Sequence, residues 1–463
     1  MRLPGFIDSH MHVLGLGYVT FNLDLTKATC IEDIQTIIQT SKQKTMIIGR
    51  GWNQEELLEK RMPTKNDLNA ACSDLPIVLV RVCGHVIVVN DAMLKLAGIT
   101  SDSSQIPGGE FSFETGIFSE KALNLIYDNM PKPTKNDLRK YFIKADEILL
   151  SKGITSVASD DFSTLAVDYE LIIETVKELY EEQLLHVQIT EQVNLPYNLL
   201  EEFIAKGYVN KRFGLFQIGP LKILADGSLG GKTAFLNEPY ELESNNRGIQ
   251  TYTDDELLDL VYLADSNNMD VVIHAIGDGA VDQVLNAFIE SKKMTERNHH
   301  KHAIIHAQLA TNTQIENMVE HQIGAIVQPI FLNTDIPIIF SRIGSRAKES
   351  YLFKTMYDQG IKVGFSTDCP IEPVNPFYNI YTAISRKSLK FQALDAFLPA
   401  EGFDIKSALN CYINHNYNYL YDNYNTERDY IVIDEDIYTC NVEDIPNIQV
   451  LETYINNELV YKK

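Results

Sequence analysis

The sequence predicts an α/β protein: a (β/α)8 TIM barrel with an inserted β-rich subdomain and a partial small β-sandwich at the C-terminus. Three observations predict it. From residue 134 onward, short apolar runs alternate with stretches of helical period. An apolar run over Phe6–Val13 stands well upstream as one more strand, and residues 423–463 hold β-type segments with no helix between them. Alternation of this kind builds a parallel sheet covered by helices.

The elements follow in chain order. After the opening strand, Ile31, Ile34, Ile37 and Ile38 mark one face of a helix. A β-rich block then interrupts the pattern, with MIIG (46–49), PIVLVRV (76–82) and HVIVVN (85–90), a short helix in DAMLKLAG and a Gly-rich stretch at 107–116. Leu138, Tyr141, Phe142, Ala145, Ile148 and Leu149 trace a helical stripe that ends at Gly153. Strand ITSVAS (154–159), a helix over 165–184, strand HVQITEQV (186–193) and a helix to Gly207 come next. FQIGPLKILADG (216–227) is a strand followed by a long loop, and a helix over 255–268 leads to VVIH (271–274) and the turn GDGA. The following helix buries Val281, Val284, Leu285 and Phe288. IIHAQL (304–309) precedes a helix with a capping-box pattern from Thr313 to Glu316. GAIVQP (324–329) and VGFSTDCP (363–370) complete eight strands. The expected division is a barrel of 1–45 and 126–422, an insert of 46–125 covering the active site, and a sandwich remnant of 423–463.

Composition narrows the function. A net charge of −23, with no basic cluster beyond Lys42–Lys44 and Arg386–Lys387, argues against a nucleic-acid partner. The six cysteines show no CxxC spacing, so neither a zinc finger nor a disulfide framework is expected, and a reduced, cytoplasmic setting fits. The N-terminus lacks the uninterrupted apolar stretch of a signal peptide, and no segment reaches transmembrane length, so no membrane partner is expected.

His10 and His12 sit one residue apart on the first strand, so their side chains share a face. Such a pair is either half a metal site or two hydrogen-bonded barrel histidines. His274, His306 and Asp368 fall at or near the C-terminal ends of the fifth, sixth and eighth strands, where barrel enzymes assemble their sites. Closure of the barrel sets the eighth strand beside the first, and five N/O donors then converge on one mouth. Lys222, Leu224 and Asp226 share a face of the fourth strand. The lysine has three readings: a carbamylated bridge between two metals, a Schiff-base nucleophile, or an ion pair with Asp226.

With these residues in place, the sequence resembles the amidohydrolase superfamily, and within it the branch of N-substituted formamide deformylases. PGFIDSHMH, GRGWNQE (49–55), RMPTKNDL (61–68), RVCGHVIVVNDAML (81–94) and PGGE…TGIFSEKA (107–122) carry the resemblance. KILADGSLGGKTAFL (222–236), HAIGDGAVDQVL (274–285) and STDCPIEPVNPF (366–377) extend it. The resemblance implies His10, His12, His274, His306 and Asp368 as metal ligands, with Asp368 also the general base, and Lys222 as a carboxylated bridge in some members. It implies that Trp52, His85 and Asp226 face the substrate; plain packing is an equal reading for Trp52, and a structural role for His85. The cofactor implied is one or two divalent ions, zinc first, with iron or manganese as alternatives. The implied reaction is hydrolysis of an amide-type C–N bond of a small molecule, an N-substituted formamide or a cyclic amide, by a metal-activated water. Two other classes compete: a catalytically degenerate barrel acting as a binding or regulatory protein, and a Schiff-base lyase using Lys222. Relatives begin with further β-structure before PGFIDSHMH that completes the C-terminal sandwich. The three C-terminal β segments are therefore expected to lack partners, which leaves pairing with another chain, as in a homodimer, as one outcome.

Overall fold

The computed structural model describes residues 1–463 except 82, 83, 85, 107, 108, 166, 298 and 417–427. Among these residues the chain divides into two compact units, Met1–Gly17 with Thr134–Lys463, and Tyr18–Pro133.

The first unit is the barrel. Its strands are β1 (Phe6–Met11), β2 (Ile154–Ser159), β3 (Gln188–Val193), β4 (Phe216–Leu224), β5 (Val271–Ala275), β6 (Ala303–His306), β7 (Gly324–Val327) and β8 (Val363–Phe365). All eight expected strands are present, and they pair in parallel, in chain order from β1 to β8. The strands are Val/Ile-rich because each is covered on both faces. Helices Lys135–Ser151, Tyr169–Glu181, Asp254–Ser266 and Asp278–Thr295 turn their apolar stripes onto this sheet; Leu138, Phe142, Ile172, Val261 and Val284 are fully or almost fully buried. The capping box before Asn312–His321 differs from expectation. Thr311, in extended conformation, is the N-cap and pairs reciprocally with Gln314, whereas Thr313 already lies inside the helix. The same three-residue spacing occurs two positions earlier, and the extended backbone at Thr311 selects it.

First and last strands meet along a seam of hydrogen bonds. Asp8 accepts from the Thr367 N–H and hydroxyl, Ser9 Oγ donates to the Phe365 carbonyl, Asp368 N–H to the His10 carbonyl, and His12 N–H to the Cys369 carbonyl. Asn416 Nδ2 donates to both the Ile7 and Phe365 carbonyls, at 2.6 and 3.0 Å.

The C-terminal segments form one four-stranded antiparallel sheet. Strand Arg2–Pro4 pairs with Tyr430–Ile433, which pairs with Val450–Ile455 and that with Glu458–Lys462. The expected lack of partners is thus corrected by three residues at the start of the chain. Its inner face, including Leu3, Ile431, Ile433 and Val450, is buried in the barrel's core cluster. Gly153, at φ +73°, lets the end of helix Lys135–Ser151 approach closely, since a Cβ there would meet Ile431 at 3.0 Å.

The second unit holds a six-stranded mixed sheet, in the order Leu23–Asp24, Ile47–Trp52, Ile77–Arg81, Val86–Val89, Ile117–Glu120, Gly109–Ser112. Helix Ile31–Gln39 packs Ile31, Ile34 and Ile38 into the cluster of Trp52, Leu68 and Leu79 on one face. Residues 18–45 and 126–133 belong with this unit, not with the barrel as expected from the sequence: the isoleucine stripe of helix Ile31–Gln39 needs the apolar face that this sheet supplies.

At the N-terminal ends of β5 and β6, Asp265 locks the strands that carry His274 and His306. It accepts from Arg297 at 2.8 Å, Ser291 at 3.0 Å and Thr295 at 2.9 Å, with His302 Nε2 at 3.4 Å. His302 Nδ1 in turn accepts the Val271 N–H. Burial pushes the Asp265 carboxyl up, but His302 and Arg297 outweigh it and hold it well below the usual range. A carboxyl whose pKa is depressed on folding stabilises the protein above its unfolded value of about 3.9, and that stabilisation fades as pH falls. Asp265→Asn is expected to lower stability at neutral pH and to flatten the loss of stability below about pH 4, as read from urea unfolding across pH.

Candidate metal centre

The C-terminal ends of the strands bring His10, His12, His274, His306, Lys222 and Asp368 to one end of the barrel. Asp368 Oδ1 lies 3.3 Å from His10 Nε2 and 3.3 Å from His12 Nε2. His10, His306 and Asp368 each offer a donor atom, all within 4.8 Å of one another, and all three residues are buried. The His306 ring is 6.0 Å from that of His10 and 4.4 Å from that of His274. His306 and Asp368 sit at φ +76° and +55°, in the left-handed region that costs non-glycine residues of order 1–3 kcal/mol. Packing and the Asp368 N–H bond to the His10 carbonyl hold the carboxylate there.

Each imidazole is anchored through one nitrogen by a group that can only accept. His10 Nδ1 faces Gln192 Oε1 at 2.6 Å, His306 Nδ1 faces Gln328 Oε1 at 2.6 Å, and His12 Nδ1 donates to the Asp160 carbonyl at 2.8 Å. His274 is reversed: its Nε2 donates to the Gly227 carbonyl at 3.0 Å and lies 3.2 Å from Asp226 Oδ1. The free nitrogens are therefore Nε2 on three rings and Nδ1 on the fourth. An N/O donor set with its outer nitrogens already engaged fits a transition-metal ion.

Charge is concentrated here. Burial pushes the Asp368 carboxyl up, yet the His10 and His12 imidazoles, each with Nε2 3.3 Å from Oδ1, reverse this and hold it well below the usual carboxylate range. Burial lowers the His12 imidazole, but Asp368 and Asp160 overcome that and bring it to about 9. Burial dominates for His10 and His306, whose imidazoles are both pushed down; His274 adds to the effect on His306. Lys222, 3% exposed, is lowered by burial against the pull of Asp160, whose carboxylate is 3.8 Å away.

That pairing replaces the Lys222–Asp226 ion pair that was one of the three readings of the lysine. Asp226 lies beyond the end of β4 and spends both oxygens on backbone amides, Oδ1 on Ile276 N–H and Oδ2 on Gly277 and Phe235 N–H. It anchors the loop after β4 and faces no open space. Trp52 is fully buried in the core of the second unit and donates its indole N–H to the Leu79 carbonyl, the packing reading of that residue. His85 lies outside the described residues. Cys369 is buried beside Asp368, with its thiol pushed well up by burial.

Several groups that hold the site carry no motif in the sequence. Asp160 follows β2, Gln192 is the next-to-last residue of β3 and Gln328 follows β7, close to the strand-end position that marks the histidines. Glu191 Oε1 accepts the N–H groups of Asp161 and Phe162, and Asp161 accepts from Leu14 N–H and Ser159 Oγ. These buried carboxyls, both raised chiefly by burial, clamp the turn that presents the Asp160 carbonyl to His12.

A parallel barrel with histidines and a carboxylate gathered at its C-terminal strand ends defines the class of metal-centred barrel proteins. The family model described as amidohydrolase family matches residues 1–413, and the chain belongs to that family. It is 30% identical to the putative amidohydrolase YtcJ of Bacillus subtilis (strain 168), over 100% of this chain and 89% of that protein. It is 23% identical to an N-substituted formamide deformylase of Arthrobacter pascens, over 100% of this chain and 88% of that one. The crystal structure of an uncharacterised metal-dependent hydrolase from Pyrococcus horikoshii superposes with a TM-score of 0.81 at 29% identity, over 96% of this chain and 87% of that chain. The protein is thus a metal-dependent hydrolase of the amidohydrolase superfamily. No helix among the described residues is long and apolar enough to cross a membrane.

Asp226→Ala is expected to strand three backbone N–H groups and release the His274 ring. The cost is about 1–3 kcal/mol per uncompensated buried donor, measured by urea unfolding.

Proposed function

We propose that the protein hydrolyses an amide-type C–N bond of a small molecule, with His10, His12, His274, His306 and Asp368 holding one or two divalent ions, zinc foremost. The observation that carries this reading is the approach of two imidazole Nε2 atoms to one oxygen of a buried carboxylate, with His306 in the same cluster. A bound divalent ion supplies Lewis acidity, lowering the pKa of a coordinated water from about 16 towards about 7 and polarising a carbonyl. Asp368 takes the proton from the attacking water and returns it to the leaving nitrogen. The Nδ1 anchors keep the rings from turning as charge develops. Lys222, if carboxylated by carbon dioxide, would help to hold a second ion. The formamide deformylase relative, at 23% identity, supports N-substituted formamides as the first substrates to try, with cyclic amides next. A cytoplasmic setting agrees with the free thiols of Cys30, Cys72, Cys369, Cys411 and Cys440.

The test combines metal counting with an amide panel. The purified protein is expected to carry at least one transition ion per chain and to lose amide hydrolysis on chelation. Asp368→Asn should lower kcat by about 10²–10⁴-fold. Lys222→Ala should reduce a stoichiometry of two to one. A protein with no bound ion, or one equally active after chelation, contradicts the reading.

A further inference from the structure

We propose that Gln192 and Gln328 are positioning residues that fix one imidazole tautomer at His10 and His306 while adding no charge to the site. This rests on the reading of those histidines as ion ligands. Gln192 Nε2 donates to the Ser9 carbonyl at 3.1 Å, a group that can only accept. The amide is thereby oriented, and the atom facing His10 Nδ1 at 2.6 Å must be Oε1. An amide oxygen cannot donate, so Nδ1 carries the proton and Nε2 is the nitrogen left for an ion. Gln328 repeats the logic from another strand. Its Nε2 donates to Ser366 Oγ at 2.7 Å and to the Ile326 carbonyl at 3.3 Å, which leaves Oε1 to accept from His306 Nδ1 at 2.6 Å. Both glutamines are buried at 1% exposure, so no water competes for these bonds.

The residue type matters as much as the geometry. Metal-binding histidines often donate their outer N–H to a carboxylate, which raises ring basicity and adds negative charge. A neutral amide orients the ring without doing so, and a bound ion keeps more of its own charge for polarising substrate and water. Each glutamine also ties its histidine to a different strand, β3 to β1 and β7 to β6, so ring orientation follows the barrel frame.

The experiment measures zinc affinity by chelator competition, and histidine tautomers by ¹⁵N NMR of the metal-free protein, in wild type, Gln192→Leu, Gln328→Leu, Gln192→Glu and Gln328→Glu. The wild type should show His10 and His306 protonated at Nδ1. Each leucine variant should disturb only its own histidine and weaken zinc binding about 10–100-fold. The glutamate variants keep the acceptor but lose the Nε2 donor to the Ser9 or Ile326 carbonyl; each should bind zinc more tightly than its leucine counterpart, separating lost orientation from a damaged fold. Leucine variants within twofold of wild-type affinity, or wild-type rings protonated at Nε2, would overturn the role of the glutamines and leave the metal reading standing. A wild type that takes up no zinc would overturn both.

Discussion

The site depends on how the first and last barrel strands are joined. β1 and β8 meet through side chains as much as through backbone: Asp8 on Thr367, Ser9 on the Phe365 carbonyl, and Asn416 bridging both strands. The same seam sets the Asp368 N–H on the His10 carbonyl and the His12 N–H on the Cys369 carbonyl. Closing the barrel and placing the carboxylate against the two histidines are therefore one event. A chain whose histidine pair stands at residues 10 and 12 can set it against Asp368 only when its far strand returns.

Polar groups are buried around this seam at high density, and each buried donor or acceptor needs a partner to avoid a cost of about 1–3 kcal/mol. The solution is acceptors of fixed direction: backbone carbonyls for His12 and His274, oriented amides for His10 and His306. Three rings then present Nε2 and one presents Nδ1. Behind them, Glu191 and Asp161 spend their carboxyl oxygens on backbone amides and a hydroxyl, so the loops that carry the acceptors are themselves held.

Much of this was legible in the sequence because period and position carry it. The strands read as apolar runs, and His274, His306 and Asp368 stood out at their C-terminal ends. What failed was whatever depends on where an extended chain stops. Alternation put Lys222 and Asp226 on one face, but β4 ends at Leu224, so the loop carries Asp226 to the amides of Ile276 and Gly277 while Lys222 turns to Asp160. Strand Arg2–Pro4 is too short to show a period, yet its pairing with Tyr430–Ile433 supplies the partner that the C-terminal segments were expected to lack. Helix Ile31–Gln39 showed its apolar face clearly, but a stripe does not say which sheet will cover it. Gln192 and Gln328 carry no charge and match no motif, and only their partners reveal their role.

The central claim is that His10, His12, His274, His306 and Asp368 form one metal centre at the barrel's C-terminal end. The most direct measurement is anomalous diffraction at the zinc edge from crystals grown with zinc. The account predicts a peak bounded by His10 and His12 Nε2 and an Asp368 oxygen, at ligand distances of about 2.0–2.2 Å. A second peak, if the centre is binuclear, would lie beside His274 Nδ1 and His306 Nε2. A well-ordered crystal with no peak among these residues, or with its strongest peak elsewhere in the chain, would contradict it.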